Sequence, residues 1–433
     1  RIAVNYPMHR VLLVASVSIC AAAAGAQIGL TEFPVPTPNS RPYTIVAGPD
    51  GNLWFTESNG NKLGRITPSG VITEYPVPTA QSGPYGIAVG SDGNIWFTER
   101  FADQIGRFSP LSGQFTEFAL PTSFAQPWEI APGADGNLWF TEEDVDQIGR
   151  ITPQGMVTEF VPPSCCIPTG IGPGADGRMW FTLEIGDQIG RVEPWGAITM
   201  FPIPSTQVLP WDITPGPDGG VWFTELAGRA IGRISPTGQV VEYPVPGHFS
   251  GIAGVTAGPD GNLWFTENDT HHVGVMNTSG TILGFLDTGE RPLSITPGPD
   301  GNLWFTEADA NAIGRIDLAD PDEAHVLCVD AAFAPRSRTA RLGATLQWTF
   351  LGPNMHSVVD SSGLGLFDSG PRRLVSYFVL DCKAAGTFTY HDGSGTTPPA
   401  VFSIPVELPA SAVVGVPFTV TWATCTSSET SPV

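Results

Sequence analysis

Residues 48–57 read GPDGNLWFTE, and the same ten letters return unchanged at 258–267 and at 298–307. The Asp-Gly pair is a strong hairpin signal, and the apolar run that follows it is typical of a buried strand. A residue that recurs in every copy cannot mark one unique site. We therefore interpret the stretch as scaffold, and expect functional residues at the positions that differ between copies.

The Trp-Phe-Thr core of this stretch, called the WFT core, occurs seven times. Its tryptophans are Trp54, Trp96, Trp139, Trp180, Trp222, Trp264 and Trp304. They are separated by 42, 43, 41, 42, 42 and 40 residues, and each unit contains four short strand-like pieces. In the second unit these pieces are PYGIAVG, NIWFTER, DQIGRFS and GQFTEFALP. The period predicts an all-β, seven-bladed β-propeller over residues 27–320, with one four-stranded blade per unit.

The seventh unit ends after its third strand-like piece, AIGRID. The missing fourth piece has a counterpart at the other end of the repeat, GLTEFPVP at residues 29–36. We predict that this N-terminal strand pairs with the seventh blade and closes the ring, which removes the open sheet edges.

Composition and charge indicate which partners are expected and where the protein is located. The net charge of −22 repels a phosphate backbone, so a nucleic-acid partner is not expected. Residues 8–26 combine a basic start with an apolar, small-residue run, which predicts a secretory signal peptide over residues 1–26. The protein is expected to be secreted, whether extracellular, periplasmic or cell-surface. No membrane span is expected, and the propeller is expected to be monomeric.

The glutamate that ends WFTE is expected to form an ion pair with the arginine of the following Ile-Gly-Arg. The arginines are Arg65, Arg107, Arg150, Arg191, Arg233 and Arg315. In the sixth blade Val275 replaces the arginine.

The second residue of each unit, which follows a proline in every unit but the sixth, varies among the blades. It is Tyr43, Tyr85, Trp128, Thr169, Trp211, Ala253 and Leu293 in turn. We expect these side chains and the WFTE carboxylates to surround one mouth of the channel. The predicted ligand-binding residues are Tyr43, Tyr85, Trp128, Glu129, Thr169, Trp211 and Asp212. Aromatic rings and carboxylates suit a cationic or ring-bearing small molecule or a glycan; alternatively, the aromatic side chains plug the channel.

The repeat, with its motifs GPDGNLWFTE, IGRITP, ITEYPVPT and P-x-G-I, resembles that of the virginiamycin B lyases. These are seven-bladed propellers that open cyclic streptogramin B antibiotics by elimination across an ester bond, with Mg²⁺. The resemblance implies a base His in P-H-G-I and a second His in P-H-A-I one blade earlier. It also implies acidic residues that hold the metal.

The matching positions of this sequence are Leu293 for the base and Ala253 for the second histidine. Arg291 replaces the glutamate expected before the last proline, and Glu290 and Glu307 are its nearest stand-ins. We therefore expect a lyase-like propeller that recognises a ligand. The alternative is a Mg²⁺-dependent carbon–oxygen lyase with displaced catalytic residues.

The sixth blade offers another candidate metal site. His271 and His272 lie near Glu267 and Asp269, and imidazole with carboxylate ligands suits Zn²⁺ or another divalent ion. Adjacent strand residues point to opposite faces, so solvated loop histidines are the alternative. The weak metal candidates are Glu267, Asp269, His271, His272, Glu290 and Glu307.

The sequence after residue 320 resembles a cupredoxin over residues 321–408. His356 fits one copper ligand, but Asp392 and Gly395 stand where Cys and the second His are required, so copper is not expected. We predict a disulfide between Cys328 and Cys382 in this β-sandwich. Residues 409–433 read as the start of a further Ig-like β module. The states of the remaining cysteines are left open for Cys165, Cys166 and Cys425.

Overall fold

The structure is a computed structural model that describes residues 30–164, 167–245 and 251–318. Beyond them it describes the backbone of nine strands between Glu323 and Ser428. The described residues form strands and turns without a helix, so none forms a helix long and apolar enough to cross a membrane. The predicted signal peptide and the pair Cys165 and Cys166 lie outside the described residues.

Seven antiparallel four-stranded sheets form the predicted propeller. We call the strands of a blade a to d from the channel outwards, since the seven a strands contact one another around the ring. A short strand, β1 (Leu30–Pro34), precedes blade one. Blade one consists of β2 (Pro42–Ala47), β3 (Leu53–Glu57), β4 (Lys62–Ile66) and β5 (Ile72–Pro76). Blade two consists of β6 (Pro84–Val89), β7 (Ile95–Glu99), β8 (Gln104–Ser109) and β9 (Gln114–Ala119). Blade three consists of β10 (Pro127–Pro132), β11 (Leu138–Glu142), β12 (Gln147–Ile151) and β13 (Val157–Phe160).

The remaining blades repeat the pattern. Blade four consists of β14 (Pro168–Pro173), β15 (Met179–Leu183), β16 (Gln188–Val192) and β17 (Ile198–Pro202). Blade five consists of β18 (Pro210–Pro215), β19 (Val221–Glu225), β20 (Ala230–Ile234) and β21 (Val240–Pro244). Blade six consists of β22 (Ile252–Ala257), β23 (Leu263–Glu267), β24 (His272–Met276) and β25 (Ile282–Asp287). Blade seven contains β26 (Pro292–Pro297), β27 (Leu303–Glu307) and β28 (Ala312–Ile316).

The outer strand of blade seven is β1, so the predicted closure of the ring is confirmed. β1 pairs antiparallel with β28, from Leu30 opposite Ile316 to Pro34 opposite Ala312. The first and last parts of the repeat are thereby hydrogen-bonded in one sheet, and blade seven has four strands like the others.

Four letters of GPDGNLW have a structural role that the contacts show. Asp50 accepts a hydrogen bond from the indole nitrogen of Trp54 (3.0 Å), which satisfies the polar atom of a side chain that is 0% exposed. Gly51 has φ +74°, which favours glycine. A Cβ on Gly48 would lie 2.3 Å from Cδ1 of Trp54, so only glycine fits beside the indole. The Asp–Trp hydrogen bond recurs in all seven blades.

The hydrophobic core lies between the blades. Leu53 and Phe55 pack with Trp304 of blade seven, whereas Trp54 packs with Ile87 of blade two. All five residues of β3 are buried, which agrees with a strand that has apolar neighbours on both faces.

The predicted ion pair between the WFTE glutamate and the Ile-Gly-Arg arginine is wrong. The strand register places Arg150 opposite Trp139, and Glu142 opposite Gln147. The guanidinium of Arg150 lies 5.4 Å from the Trp139 ring centroid and donates to the carbonyl of Pro194 in the next blade (2.7 Å). The repeated arginine is therefore a stacking and blade-joining residue.

The backbone beyond residue 318 forms two sheets. The nine strands are β29 (Glu323–Val329), β30 (Ala332–Ala334), β31 (Ser337–Thr339), β32 (Thr345–Phe350), β33 (Val358–Asp360), β34 (Ser376–Asp381), β35 (Gly386–Asp392), β36 (Ala400–Ile404) and β37 (Thr426–Ser428). The strand orders are β30-β29-β32-β34-β37 and β31-β36-β35-β33. The cupredoxin-like fold, the boundary at residue 408 and the further module stay predictions.

Candidate functional site

The threonine of each WFT core fixes the channel-facing a strands. In blade one the Thr56 hydroxyl accepts the amide hydrogen of Thr44 (3.1 Å) and donates to the carbonyl of Tyr85 in blade two (2.6 Å). Thr306 likewise donates to the carbonyl of Tyr43 (2.7 Å), so blade seven is joined to blade one. The same two hydrogen bonds recur in every blade. The repeated residues therefore position the variable ones.

Every a strand also contains a β-bulge. Between Pro42 and Ile45, the two residues Tyr43 and Thr44 oppose a single residue of strand b. A bulge changes the direction of the side chains beside it. As a result Tyr43 and Thr44 both line the channel, although strict alternation along a strand would direct only one of them inward.

The bulged residues enclose a cavity of about 540 Å³ at one end of the channel, which is a size typical of small-molecule sites. Six of the seven predicted ligand-binding residues line it, namely Tyr43, Tyr85, Trp128, Glu129, Trp211 and Asp212. Thr169 is not among the lining residues. Thr169 is 1% exposed, and its hydroxyl lies 2.9 Å from Oγ1 of Thr182 and 3.2 Å from the carbonyl oxygen of Trp211.

The four aromatic side chains form one continuous cluster. The ring centroids are 4.3 Å apart for Tyr43 and Tyr85, 4.9 Å for Tyr85 and Trp128, and 5.4 Å for Trp128 and Trp211. Tyr85 and Trp128 are only 7% and 8% exposed, whereas Tyr43 and Trp211 are half-buried. Tyr85 and Trp128 therefore fill part of the channel, whereas Tyr43 and Trp211 form accessible wall; ligand binding by these rings stays a prediction.

The face of Trp128 is already covered by a cation. The guanidinium carbon of Arg100 lies 4.2 Å from the Trp128 ring centroid and 5.1 Å from that of Tyr85. Arg100 Nη2 also forms an ion pair with Glu143 at 2.5 Å. Sequence reasoning missed Arg100, although it follows WFTE directly at a position that differs between blades. A cationic ligand would have to displace it from the aromatic face.

Two carboxyl groups line the same cavity from blades three and five. Asp212 accepts hydrogen bonds from the amides of Ile213 (2.8 Å) and Val255 (2.9 Å), and Glu129 accepts one from the amide of Ile130 (3.2 Å). Burial, and then the charge of Asp212, raises the pKa of Glu129 to about 8. Burial raises the pKa of Asp212 to about 6. At neutral pH the cavity therefore offers a protonated Glu129 and a largely ionised Asp212.

The WFTE carboxylates do not surround the mouth, so this prediction is wrong. Glu57, Glu142 and Glu307 are 0% exposed, and none of them lines the cavity. Strand b is the second strand from the channel, and strand a separates its side chains from the opening. Sequence reasoning placed the end of strand b at the correct end of the blade but at the wrong distance from the axis.

The candidate metal residues do not form a cluster. The described residues contain no group of three or more His, Cys, Asp or Glu side chains that could hold a metal ion. His271 lies in a turn with φ +60°, whereas His272 begins β24 with its ring 6.2 Å from that of Phe285. Asp269 and Glu290 are exposed, while Glu267 and Glu307 are 0% exposed. The six residues are therefore not brought together.

The positions matched to the family's histidines lie in the cavity wall, on blades six and seven. Ala253 and Leu293 both line the cavity, and Arg291 lines it as well. An alkyl pair offers no metal ligand and no base, and a guanidinium repels a cation. The residues present therefore do not fit the Mg²⁺ site that the resemblance implies.

The structure adds polar lining residues that the sequence analysis did not single out. They are Arg41, Thr44, Arg100, Thr214, Thr256, Asn268, Ser294 and Asp309. All but the two threonines Thr214 and Thr256 share a signal of position: they lie within two residues of the strand a proline or of the WFTE glutamate, at positions that differ between blades. The predicted disulfide is untested, because the Cys328 side chain and Cys382 lie outside the described residues, as does Cys425.

Comparison with known proteins identifies relatives of the propeller. A model of the virginiamycin B lyase family matches residues 15–250 and 213–336. A solved streptogramin B lyase structure is similar with a TM-score of 0.63 and 36% identity, covering 66% of this chain and 96% of that one.

Two further relatives agree with this. The structure of a catalytically inactive virginiamycin B lyase from Staphylococcus aureus with Quinupristin has a TM-score of 0.63 and 33% identity, over 66% of this chain and 98% of that one. A virginiamycin B lyase from Bacillus licheniformis is 50% identical over 46 residues. That segment is 11% of this chain and spans 16% of the length of the curated relative.

Proposed function

The chain belongs to the virginiamycin B lyase family, and we propose that its propeller recognises a small molecule or glycan in the channel cavity without carrying out the family's reaction. We further propose that the protein is exported, on the strength of the signal-like residues 1–26.

One observation supports recognition over the family reaction. The cavity is of ligand size, but the positions matched to the two histidines are Ala253 and Leu293, and both side chains belong to its wall. Elimination next to a carbonyl needs a base that can take the carbon-bound proton, and neither side chain can do so. The cavity could thus still hold a ligand, while the positions matched to the family's base and to its glutamate carry other side chains.

A second candidate is a lyase with displaced catalytic residues. It is favoured by Glu129 and Asp212, because their raised pKa values of about 8 and about 6 place one proton donor and one acceptor in the cavity near neutral pH. In this reading the Asp212 carboxylate takes a proton from the carbon adjacent to the one that carries the ester's alkyl oxygen. The bond between carbon and the ester oxygen then breaks, a carbon–carbon double bond forms, and the carboxylate leaves, with Glu129 as its hydrogen-bond donor.

Quinupristin separates the two candidates. The full chain is incubated with quinupristin and Mg²⁺, and the mixture is followed by chromatography and mass spectrometry. Recognition predicts quenching or enhancement of Trp211 fluorescence on binding, with no new species. Elimination within a ring leaves the mass unchanged but opens the ring. A later- or earlier-eluting isomer, lost in Asp212→Asn, would therefore overturn recognition in favour of the lyase.

A further inference from the structure

The cavity rim carries two guanidinium groups on neighbouring blades. Arg291 directly precedes Pro292 at the start of the a strand of blade seven, and Arg41 directly precedes Pro42 at the start of that of blade one. Both line the cavity. The equivalent residues of the other blades are uncharged, namely Gly83, Gln126, Ile167, Leu209 and Gly251. Because these two a strands contact each other, the charged rim residues are neighbours around the ring.

Neither guanidinium is neutralised within the described part of the chain. In residues 30–164, 167–245 and 251–318 no carboxylate oxygen lies within 4.0 Å of Arg41 or Arg291, whereas Arg100 pairs with Glu143 at 2.5 Å. The Nε of Arg291 is buried without a hydrogen-bond partner among these residues. Three carboxyl groups line the same cavity: Glu129 and Asp212 on blades three and five, and the exposed Asp309 on blade seven. Two adjacent guanidinium groups without an ion-pair partner among the described residues, in a chain of net charge −22, support a binding role.

Part of the cavity wall is apolar. Leu226, Val255 and Leu293 line the cavity, and the ring of Trp211 is half-buried in it. Guanidinium groups bind carboxylate, sulfonate and phosphate groups by parallel hydrogen bonds, and they do so more strongly than they bind neutral acceptors. An aromatic or aliphatic group gains affinity from burial against such a wall.

We propose that Arg41 and Arg291 form an anion-binding rim, and that the ligand is an amphipathic organic anion. Its acidic group binds the two guanidiniums, and its aromatic or aliphatic body lies against Trp211 and Leu293. The inference rests on the proposed function, since it assigns a ligand class to the same cavity. It differs from the cationic ligand expected from the sequence, because Arg100 already covers the face of Trp128.

A pair of fluorescent probes tests the rim. 1-Anilinonaphthalene-8-sulfonate and N-phenyl-1-naphthylamine share the same rings, but only the first carries an anionic group. Each is titrated into the full chain at low salt. The sulfonate should bind the wild type more tightly than the neutral probe. Arg41→Gln and Arg291→Gln should each lower the affinity for the sulfonate probe by about tenfold, consistent with the loss of one charged hydrogen bond. Each should change the affinity for the neutral probe by less than about twofold.

Arg229→Gln is the matched control. Arg229 is exposed, does not line the cavity and has φ +56°, the same as Arg41, so the variant removes the same charge from a similar backbone. Equal weakening by Arg229→Gln would indicate a general field effect and overturn the rim. Unchanged sulfonate affinity in both rim variants would also overturn the anion-binding rim. If Trp211→Ala nevertheless weakens the binding of both probes, the proposed function stands. If Trp211→Ala changes neither probe, the proposed function itself is refuted.

Discussion

Replacing Glu142 by Gln should make the stability of the protein less dependent on pH. Glu142 is 0% exposed, and both of its carboxyl oxygens are buried without a hydrogen-bond partner among the described residues. Burial, and then the nearby charges of Glu159 and Asp103, raises its pKa from 4.5 to about 8. The folded protein therefore keeps this proton at neutral pH, whereas the unfolded chain releases it.

The magnitude follows from linkage between protonation and folding. Each pKa unit corresponds to about 1.4 kcal/mol, so the shift of Glu142 to about 8 lowers the free energy of unfolding by up to about 5 kcal/mol. Its contribution to stability is complete below pH 4.5, falls by about 1.4 kcal/mol per pH unit, and is fully lost above about pH 8. Glutamine has no proton to lose, so the variant lacks this dependence.

Four other blades repeat the arrangement, blade six has Phe285 in place of the strand d glutamate, and blade four replaces both glutamates. Burial, and then the charge of a strand d glutamate, raises the pKa of the WFTE glutamate in five pairs, Glu57 with Glu74, Glu99 with Glu117, Glu142 with Glu159, Glu225 with Glu242 and Glu307 with Glu32. In blade four the equivalent residues are Leu183 and Met200, which pack in the same hydrophobic cluster. The chain itself therefore shows that an uncharged pair is accommodated at this place in a blade.

The assay is urea unfolding of the full chain at pH 5, 6, 7 and 8, followed by tryptophan fluorescence. The free energy of unfolding of Glu142→Gln should rise relative to wild type at each step. Asp309→Asn serves as the control, because its carboxylate is exposed and its substitution should give a curve parallel to wild type. If Glu142→Gln is also parallel to wild type over this range, the reasoning from a buried, protonated carboxyl group is refuted.

Three further predictions concern the ring and the cavity. Thr224→Val removes a hydroxyl that joins two blades, so the free energy of unfolding should fall by about 1–3 kcal/mol in the same urea assay. Trp128→Ala should lower the free energy of unfolding by about 3 kcal/mol or more, because the ring is packed and only 8% exposed. Trp211 is half-buried, so Trp211→Ala should lower it by less, and this variant should abolish the fluorescence change that a ligand induces. Fluorescence titration of the sulfonate probe should show tighter binding as the pH falls from 8 to 6, because Glu129 and then Asp212 lose their negative charge.

The fold was predictable because each blade uses the same residues for the same packing contacts. The period of Trp54 and its six equivalents gave the number of blades, and the incomplete seventh unit predicted the closing role of β1, which its pairing with β28 confirms. The side-chain pairing was not predictable to the same extent. Glu142 and Arg150 have opposite charges and lie on adjacent strands, but the strand register places each of them opposite another residue. Register depends on the turns between strands, which the charges do not specify.

The cavity was predictable in part. The residue that varies after each proline gave Tyr43, Tyr85, Trp128 and Trp211. The bulge was not visible in the sequence, since it is held by a threonine that looks like any other β-branched strand residue. Without the bulge, the inward direction of the next side chain in each strand, such as Thr44, could not be deduced.

At Ala253 and Leu293, the positions matched to the family's histidines, only the side chain is different. The backbone there is held by the same hydrogen bonds as in the other blades. Thr224 donates to the carbonyl of Ala253 (2.7 Å) and Thr266 to that of Leu293 (2.6 Å), just as Thr98 donates to Trp128 (2.8 Å) in a blade with no such role. These contacts use only main-chain atoms of the variable residue, so they do not specify which side chain stands there. The shared fold is therefore weak evidence for shared chemistry. What decides between recognition and elimination is whether the carboxyl groups of blades three and five can reach a ligand that the arginines hold at blades seven and one.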